Sequence, residues 1–173
     1  AKKHYQADLV LGIPRGGVVV AREIAHKLNL PLDIVVVKKL AAPANPELAI
    51  GALTQDNVIY LDRKLITTID VDQVYITAEI KKKQQELEER IKMLRQNKSA
   101  LQPAGKNIIL VDDGVATGAT VIVAIEYLRQ KKAAQIILAL PVAAKDTAGQ
   151  LQKKVDQCLI LQPPPFFQAV GQF

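Results

Sequence analysis

The sequence predicts an α/β fold: a doubly wound, mainly parallel sheet with a five-stranded core and helices on both faces. Three observations point there. Short runs of Val, Ile and Leu recur along the chain, as strands buried on both faces require. Stretches of helical character separate those runs, the pattern of βαβ units. Two Gly-containing loops follow directly on apolar runs, where a parallel sheet presents its ligand-binding ends. With 173 residues, 49% of them hydrophobic, the chain is long enough for one real core, and it reads as a single domain over residues 1–173.

Asp8 to Ile13 reads as the first strand, followed by a Gly-rich turn and a helix from about Gly17 to Asn29 that Asn29-Leu-Pro31 ends. Asp33 to Val37 is the second strand. Ala41 to Pro46 is expected as a loop, because Pro43 and Pro46 oppose helix. Ile50 to Thr54 and Val58 to Leu61 read as two short strands, a hairpin joined at Gln55-Asp56-Asn57. Ile108 to Val111, Gln135 to Val142 and Asp156 to Leu161 are the later strands, with helices over Ala119 to Lys131 and Lys145 to Lys154 between them. The segment from about 72 to 98 differs. It predicts a long helix with a narrow apolar stripe, Ile80, Leu87, Ile91 and Leu94, between charged faces. Such a stripe buries one side only, against the sheet edge or a second copy of the chain, and a homodimer is expected.

Composition narrows the function. The net charge of +6 favours an anionic ligand, while the lysines lie scattered in pairs and one triplet, Lys81 to Lys83, so charge alone does not indicate nucleic acid. Two histidines, His4 and His26, are too few for a His-based metal site. A single cysteine, Cys158, excludes an intrachain disulfide and suits a reducing, cytoplasmic setting. No stretch has the length of a membrane span and no secretory leader is visible. The chain opens almost directly into a strand and stops at Phe173 in an apolar stretch, so flanking pieces are expected.

The run Asn107-Ile-Ile-Leu-Val-Asp-Asp-Gly-Val-Ala-Thr-Gly-Ala-Thr120 carries most of the chemistry. A buried strand ends in paired carboxylates, Asp112 and Asp113, and a small loop leads into a helix. Gly, Ala and Thr let backbone N–H groups converge at the helix N-terminus, where a phosphate binds well. Carboxylates beside it accept hydrogen bonds from vicinal hydroxyls or approach Mg²⁺. Phosphate next to a diol describes a sugar phosphate. A second loop, Gly12-Ile-Pro-Arg-Gly-Gly-Val18, ends the first strand. Arg15 with the bared backbone of Gly16 and Gly17 suits a second anion.

The first of these segments resembles the phosphoribosyl-pyrophosphate (PRPP) motif of the type I phosphoribosyltransferases, and the Arg-Gly-Gly loop resembles that family's pyrophosphate loop. The combination IPRGG, VVVKK, APANPE, LAIGA, VDDGVATGAT and PFFQAVG is similar to a group of bacterial and archaeal members with unsettled acceptors. The resemblance implies transfer of 5-phosphoribosyl from PRPP to a nitrogenous base, with Mg²⁺ as cofactor and release of pyrophosphate. It gives Asp112 and Asp113 the ribose hydroxyls and Mg²⁺, directly or through ribose and water. Gly114, Ala116, Thr117, Gly118, Ala119 and Thr120 would cradle the 5-phosphate. Arg15, Gly16 and Gly17 would hold pyrophosphate, with Lys38 and Lys39 adding charge. Relatives often carry a non-proline cis bond in that loop. Ala41 to Glu47 matches the position of a mobile region that closes over PRPP. A partial hood over 162–173 carries Phe166 and Phe167, either of which stacks on the base or seals the core. No residue matches the base-recognising lysine of the purine enzymes, Lys145 falling at a helix start, and no general base is evident. A non-catalytic PRPP- or nucleotide-sensing regulator on the same fold, with nucleic acid as a conceivable partner, is the alternative.

Overall fold

The computed structural model describes residues 6–96 and 98–162. In chain order, β1 (Leu9–Gly12) leads into α1 (Gly16–Leu28) and β2 (Leu32–Ile34). Then come β3 (Val37–Ala42), β4 (Asn45–Thr54) and β5 (Val58–Leu61), followed by α2 (Arg63–Thr68) and α3 (Gln73–Arg95). The chain closes with β6 (Asn107–Val111), α4 (Ala119–Gln130), β7 (Gln135–Val142), α5 (Lys145–Gln152) and β8 (Gln157–Gln162). Five strands form a parallel sheet in the order β2-β1-β6-β7-β8, the predicted core. A second sheet, β3-β4-β5, is antiparallel.

The layers follow from side-chain alternation. Val10, Ile109, Val111 and Ile137 point to one face of the parallel sheet and pack under α1, through Ala21 and Ala25. Leu9, Leu11, Ile108, Leu110, Ile136 and Leu138 point to the other, against α4 and α5. The far side of α4 meets Ala49, Ala52 and Val58 of the antiparallel sheet. A helix between two sheets must be apolar all round, and eight of the 12 residues of α4 are buried. The outer face of the antiparallel sheet is covered by α2 and α3. Among the described residues, the α1 side over β7 and β8 forms an apolar groove of about 470 Å³.

Two expectations change, and one helix is new. The run Asp33 to Val37 is not one strand. Leu32–Ile34 pairs with β1, whereas Val37 already belongs to the antiparallel sheet. Val35 and Val36 form the crossing, one buried in each core, so the sequence stays apolar while the chain changes sheet. Ala41 to Pro46 is a hairpin rather than a loop. Strand β3 runs to Ala42, Pro43 and Ala44 make the turn, and Pro46 lies where the register between β3 and β4 is irregular and its missing N–H is not needed. The short helix α2 carries no strong sequence signal beyond Asp62, whose carboxylate accepts from the Leu65 N–H at 3.0 Å.

Most of the α3 stripe packs within the chain, while Leu94, its last member, is exposed. Ile76 and Leu87 are buried, and Ile80 and Ile91 pack with them against Leu40, Ile50 and Leu53 of the antiparallel sheet. Ion pairs hold the helix near its middle and at its C-terminal end: Lys38 to Glu86 at 3.0 Å and Arg95 to Asp33 at 3.1 Å. Among the described residues, no helix is long and apolar enough to cross a membrane.

Candidate functional site

The site stands at the carboxyl ends of β1 and β6, adjacent strands whose following helices, α1 and α4, lie on opposite faces. This is the point where a doubly wound sheet opens a crevice. Strand β6 is buried from Ile108 to Val111, so the next two residues, Asp112 and Asp113, emerge at its rim. Asp112 remains 7% exposed, while Asp113 faces solvent. The Asp113 N–H donates to Asp112 Oδ1 at 3.0 Å.

Burial pushes the Asp112 carboxyl up to about 8, and the neighbouring Asp113 charge adds to it. The Asp113 N–H and the charge of Lys39 pull the other way without offsetting burial. A carboxyl held neutral by desolvation becomes a strong acceptor once a cation or hydroxyl donors arrive.

The β1–α1 loop presses against this pair. A Cβ on Gly16 would collide with the Asp113 carboxylate, and one on Gly17 would lie 2.8 Å from Asp112 Cα. Arg15 caps α1 without a side-chain hydrogen bond and is exposed. Among the described residues, none accepts from the N–H groups of Gly16 or Gly17. The Pro14–Arg15 peptide is cis, one bond before Arg15–Gly16.

The β6–α4 loop is shaped differently. Val115 forms a bridge to Ala143 past the end of β7: its N–H donates to Val142 O at 3.1 Å, and Ala144 N–H donates to Val115 O at 3.0 Å. Gly118 caps α4 with φ 85°. Among the described residues, the N–H groups of Thr117, Gly118, Ala119 and Thr120 have no protein acceptor. Gly114 and Ala119 are buried, Ala116 and Thr117 exposed, and Thr120 intermediate. Two helix N-termini with bare N–H groups thus flank one carboxylate pair, from two sides.

Of the two lysines, Lys39 is the one whose charge acts on Asp112. Side chains alternate along β3, and Lys38 turns to α3 and Glu86. Phe166 and Phe167, and the rest of the expected hood beyond Gln162, lie outside the described residues. Sequence reading missed Thr147, at the start of α5, whose hydroxyl donates to the Ala116 carbonyl at 2.6 Å. No local pattern marks it, since its partner is 31 residues away.

Among the described residues, no group of three or more His, Cys, Asp or Glu gathers as a metal cage. Two adjacent carboxylates fit a Mg²⁺ that takes its other oxygens from phosphates and water, the usual habit of that ion.

The sequence model of the phosphoribosyl transferase domain matches residues 1–173. Two Mycobacterium tuberculosis proteins, each named "Putative phosphoribosyl transferase", are 38% identical over 167 residues, which is 96% of this chain and 38% of each relative. The chain therefore spans well under half the length of the curated relatives it matches. The crystal structure of TT1426 from Thermus thermophilus is similar with a TM-score of 0.79 and 36% identity, over 96% of this chain and 79% of that one. A purine phosphoribosyltransferase from Pyrococcus horikoshii shares the fold at a TM-score of 0.50 and 17% identity, over 94% of this chain and 82% of that one. Paired carboxylates after β6, flanked by two bare helix N-termini, are thus found in a chain that belongs to the phosphoribosyl transferase domain family.

Proposed function

We propose that this chain binds PRPP at the ends of β1 and β6 and transfers its 5-phosphoribosyl group to a ring nitrogen of a nitrogenous base. The bond from ribose C1 to the pyrophosphate oxygen breaks, the C1–N bond forms, and the base loses a proton. One observation carries this reading. Two phosphate-sized sites, the α4 and α1 N-termini, lie on either side of a carboxylate pair that can hold a diol between them.

The loop from Gly114 to Thr120 holds the 5-phosphate on its N–H groups. Asp112 and Asp113 accept from the ribose 2- and 3-hydroxyls and orient C1. Gly16, Gly17 and Arg15 receive pyrophosphate, with Lys39 supplying further positive charge. Mg²⁺ held by the two carboxylates and the phosphate oxygens would neutralise charge on the leaving group. What remains for the protein is positioning and electrostatic stabilisation of a charge-separated transition state. The acceptor is a nitrogenous base, and Phe166 or Phe167 is the proposed stacking partner. A cytoplasmic setting follows from the anionic substrate.

Calorimetric titration of Mg-PRPP into the protein, with and without pyrophosphate, tests the reading. Magnesium-dependent binding that pyrophosphate competes away is expected. Replacing both carboxylates, Asp112→Asn with Asp113→Asn, should weaken binding by about a hundredfold or more, on the order of two lost charge-assisted contacts, while the thermal midpoint persists. Unchanged PRPP affinity in that variant would sink the assignment. Tight binding without transfer to any base would move the chain to the regulatory reading.

A further inference from the structure

We infer that Thr147 is a positioning residue that sets the shape of the phosphate-binding loop from the far side of the sheet's rim. The inference rests on the reading of residues 114–120 as the 5-phosphate cradle. Thr147 is 9% exposed and uses both branches of its side chain. Its hydroxyl donates to the Ala116 carbonyl at 2.6 Å. Its methyl group, Cγ2, lies 2.9 Å from where a Cβ on Gly118 would be, so it sits against the open face of that residue. Val115, one residue earlier, is tied to the same junction through Ala143 and Ala144. The stretch from the last residue of β7 to the first turn of α5 therefore grips the loop through three hydrogen bonds, and only Thr147 does so through a side chain.

The consequence for binding is geometric. In a trans peptide the N–H of one residue points opposite to the carbonyl of the residue before it. Holding the Ala116 carbonyl toward Thr147 turns the Thr117 N–H the other way, to the side from which a ligand approaches. The Gly118 conformation, φ 85°, sets the next N–H groups at the mouth of α4. Without the hydroxyl, the Ala116 carbonyl has lost its partner and gains by rotating toward water. The Thr117 N–H then leaves the cradle. Thr147 touches neither ligand, so its effect should appear in one anion site and not in the other.

The test uses two probes that separate the sites: ribose 5-phosphate for the α4 loop and inorganic pyrophosphate for the α1 loop. Each is titrated by ³¹P NMR into the wild-type protein, Thr147→Val and Thr147→Ser. Thr147→Val keeps the shape and removes the hydroxyl. It should weaken ribose 5-phosphate about tenfold, the scale of one well-placed hydrogen bond, and leave pyrophosphate unchanged. Thr147→Ser keeps the hydroxyl and should bind ribose 5-phosphate within about twofold of wild type. If Thr147→Val does not fold, Thr147→Ala takes its place, since it adds no bulk. Equal ribose 5-phosphate affinity in wild type and Thr147→Val would overturn the inference, as would a parallel loss of both ligands, which marks general loosening. Wild-type protein that binds neither probe would overturn the reading of the site itself.

Discussion

The loop before α1 and the loop before α4 both open a helix with bare N–H groups, and each depends on glycine, the first for space alone and the second for backbone conformation as well. Gly16 is constrained by space, because the Asp113 carboxylate occupies the position of its missing side chain. Gly118 is constrained first by backbone conformation, at φ 85°, which costs an ordinary L-residue about 1–2 kcal/mol, and then by the Thr147 methyl, 2.9 Å from where a Cβ would lie. The first loop has been pushed against the acids from a neighbouring strand. The second is continuous with the acids and takes its shape from β7 and α5. One is therefore sensitive to what stands opposite it, the other to what lies behind it.

The largest effects should come from exchanging the two glycines for alanine. Gly16→Ala forces the Asp113 carboxylate or the loop to shift, and a displacement near 1 Å at such a site costs about a hundredfold in productive binding. Gly118→Ala should lower the thermal midpoint, through a conformational penalty of about 1–2 kcal/mol and the displacement of the Thr147 methyl, and weaken ribose 5-phosphate rather than pyrophosphate. Titration of both anions into both variants checks this. If Gly16→Ala binds pyrophosphate normally, the close approach of the two loops does not govern the site.

The next effect concerns pH. Asp112 ordinarily titrates near 3.8 and is raised to about 8 in the fold. Its neutral form is favoured by folding, so this contribution is full below about 4 and is lost as the pH climbs to about 8. The ligand-free protein should therefore lose thermal stability across that window. Asp112→Asn, which stays neutral, should remove much of the decline. A midpoint that falls equally in both proteins would show that Asp112 is not the group responsible. Binding of Mg-PRPP at pH 7 should also release a proton, seen as a dependence of the calorimetric heat on the buffer.

The smallest effect separates the two lysines. Lys39→Ala should weaken pyrophosphate a few-fold, and more at low salt. Lys38→Ala loses a half-exposed pair with Glu86 worth at most about 1 kcal/mol, so it should lower stability slightly and leave pyrophosphate alone. Equal losses of affinity would mean that the alternation along β3 does not sort the two.

Much of this was legible in the sequence. The strands Ile108 to Val111 and Gln135 to Val142 announced themselves as unbroken apolar runs, because both faces of a parallel sheet are buried. The carboxylate pair and the two loops stood out because phosphate cradles need small residues in fixed order. The stripe of α3 was visible too, but not its target: an apolar face says that it is covered and not by what. The second sheet was half hidden. Val35 and Val36 read as strand interior, although they are the crossing between two cores, and the prolines at 43 and 46 masked a hairpin that an irregular register accommodates.

What the sequence determined by itself is the order of elements and the local chemistry at Asp112, Asp113 and the glycines, since strand burial, turn geometry and helix starts depend on neighbours in the chain. What only the tertiary structure decided is which distant pieces share a site. It set Gly16 against Asp113, sent Lys38 to α3 while leaving the Lys39 charge to act on Asp112, and put Thr147 behind Ala116. These pairings follow from strand order and from which face each side chain takes, and neither is encoded in any short stretch of residues.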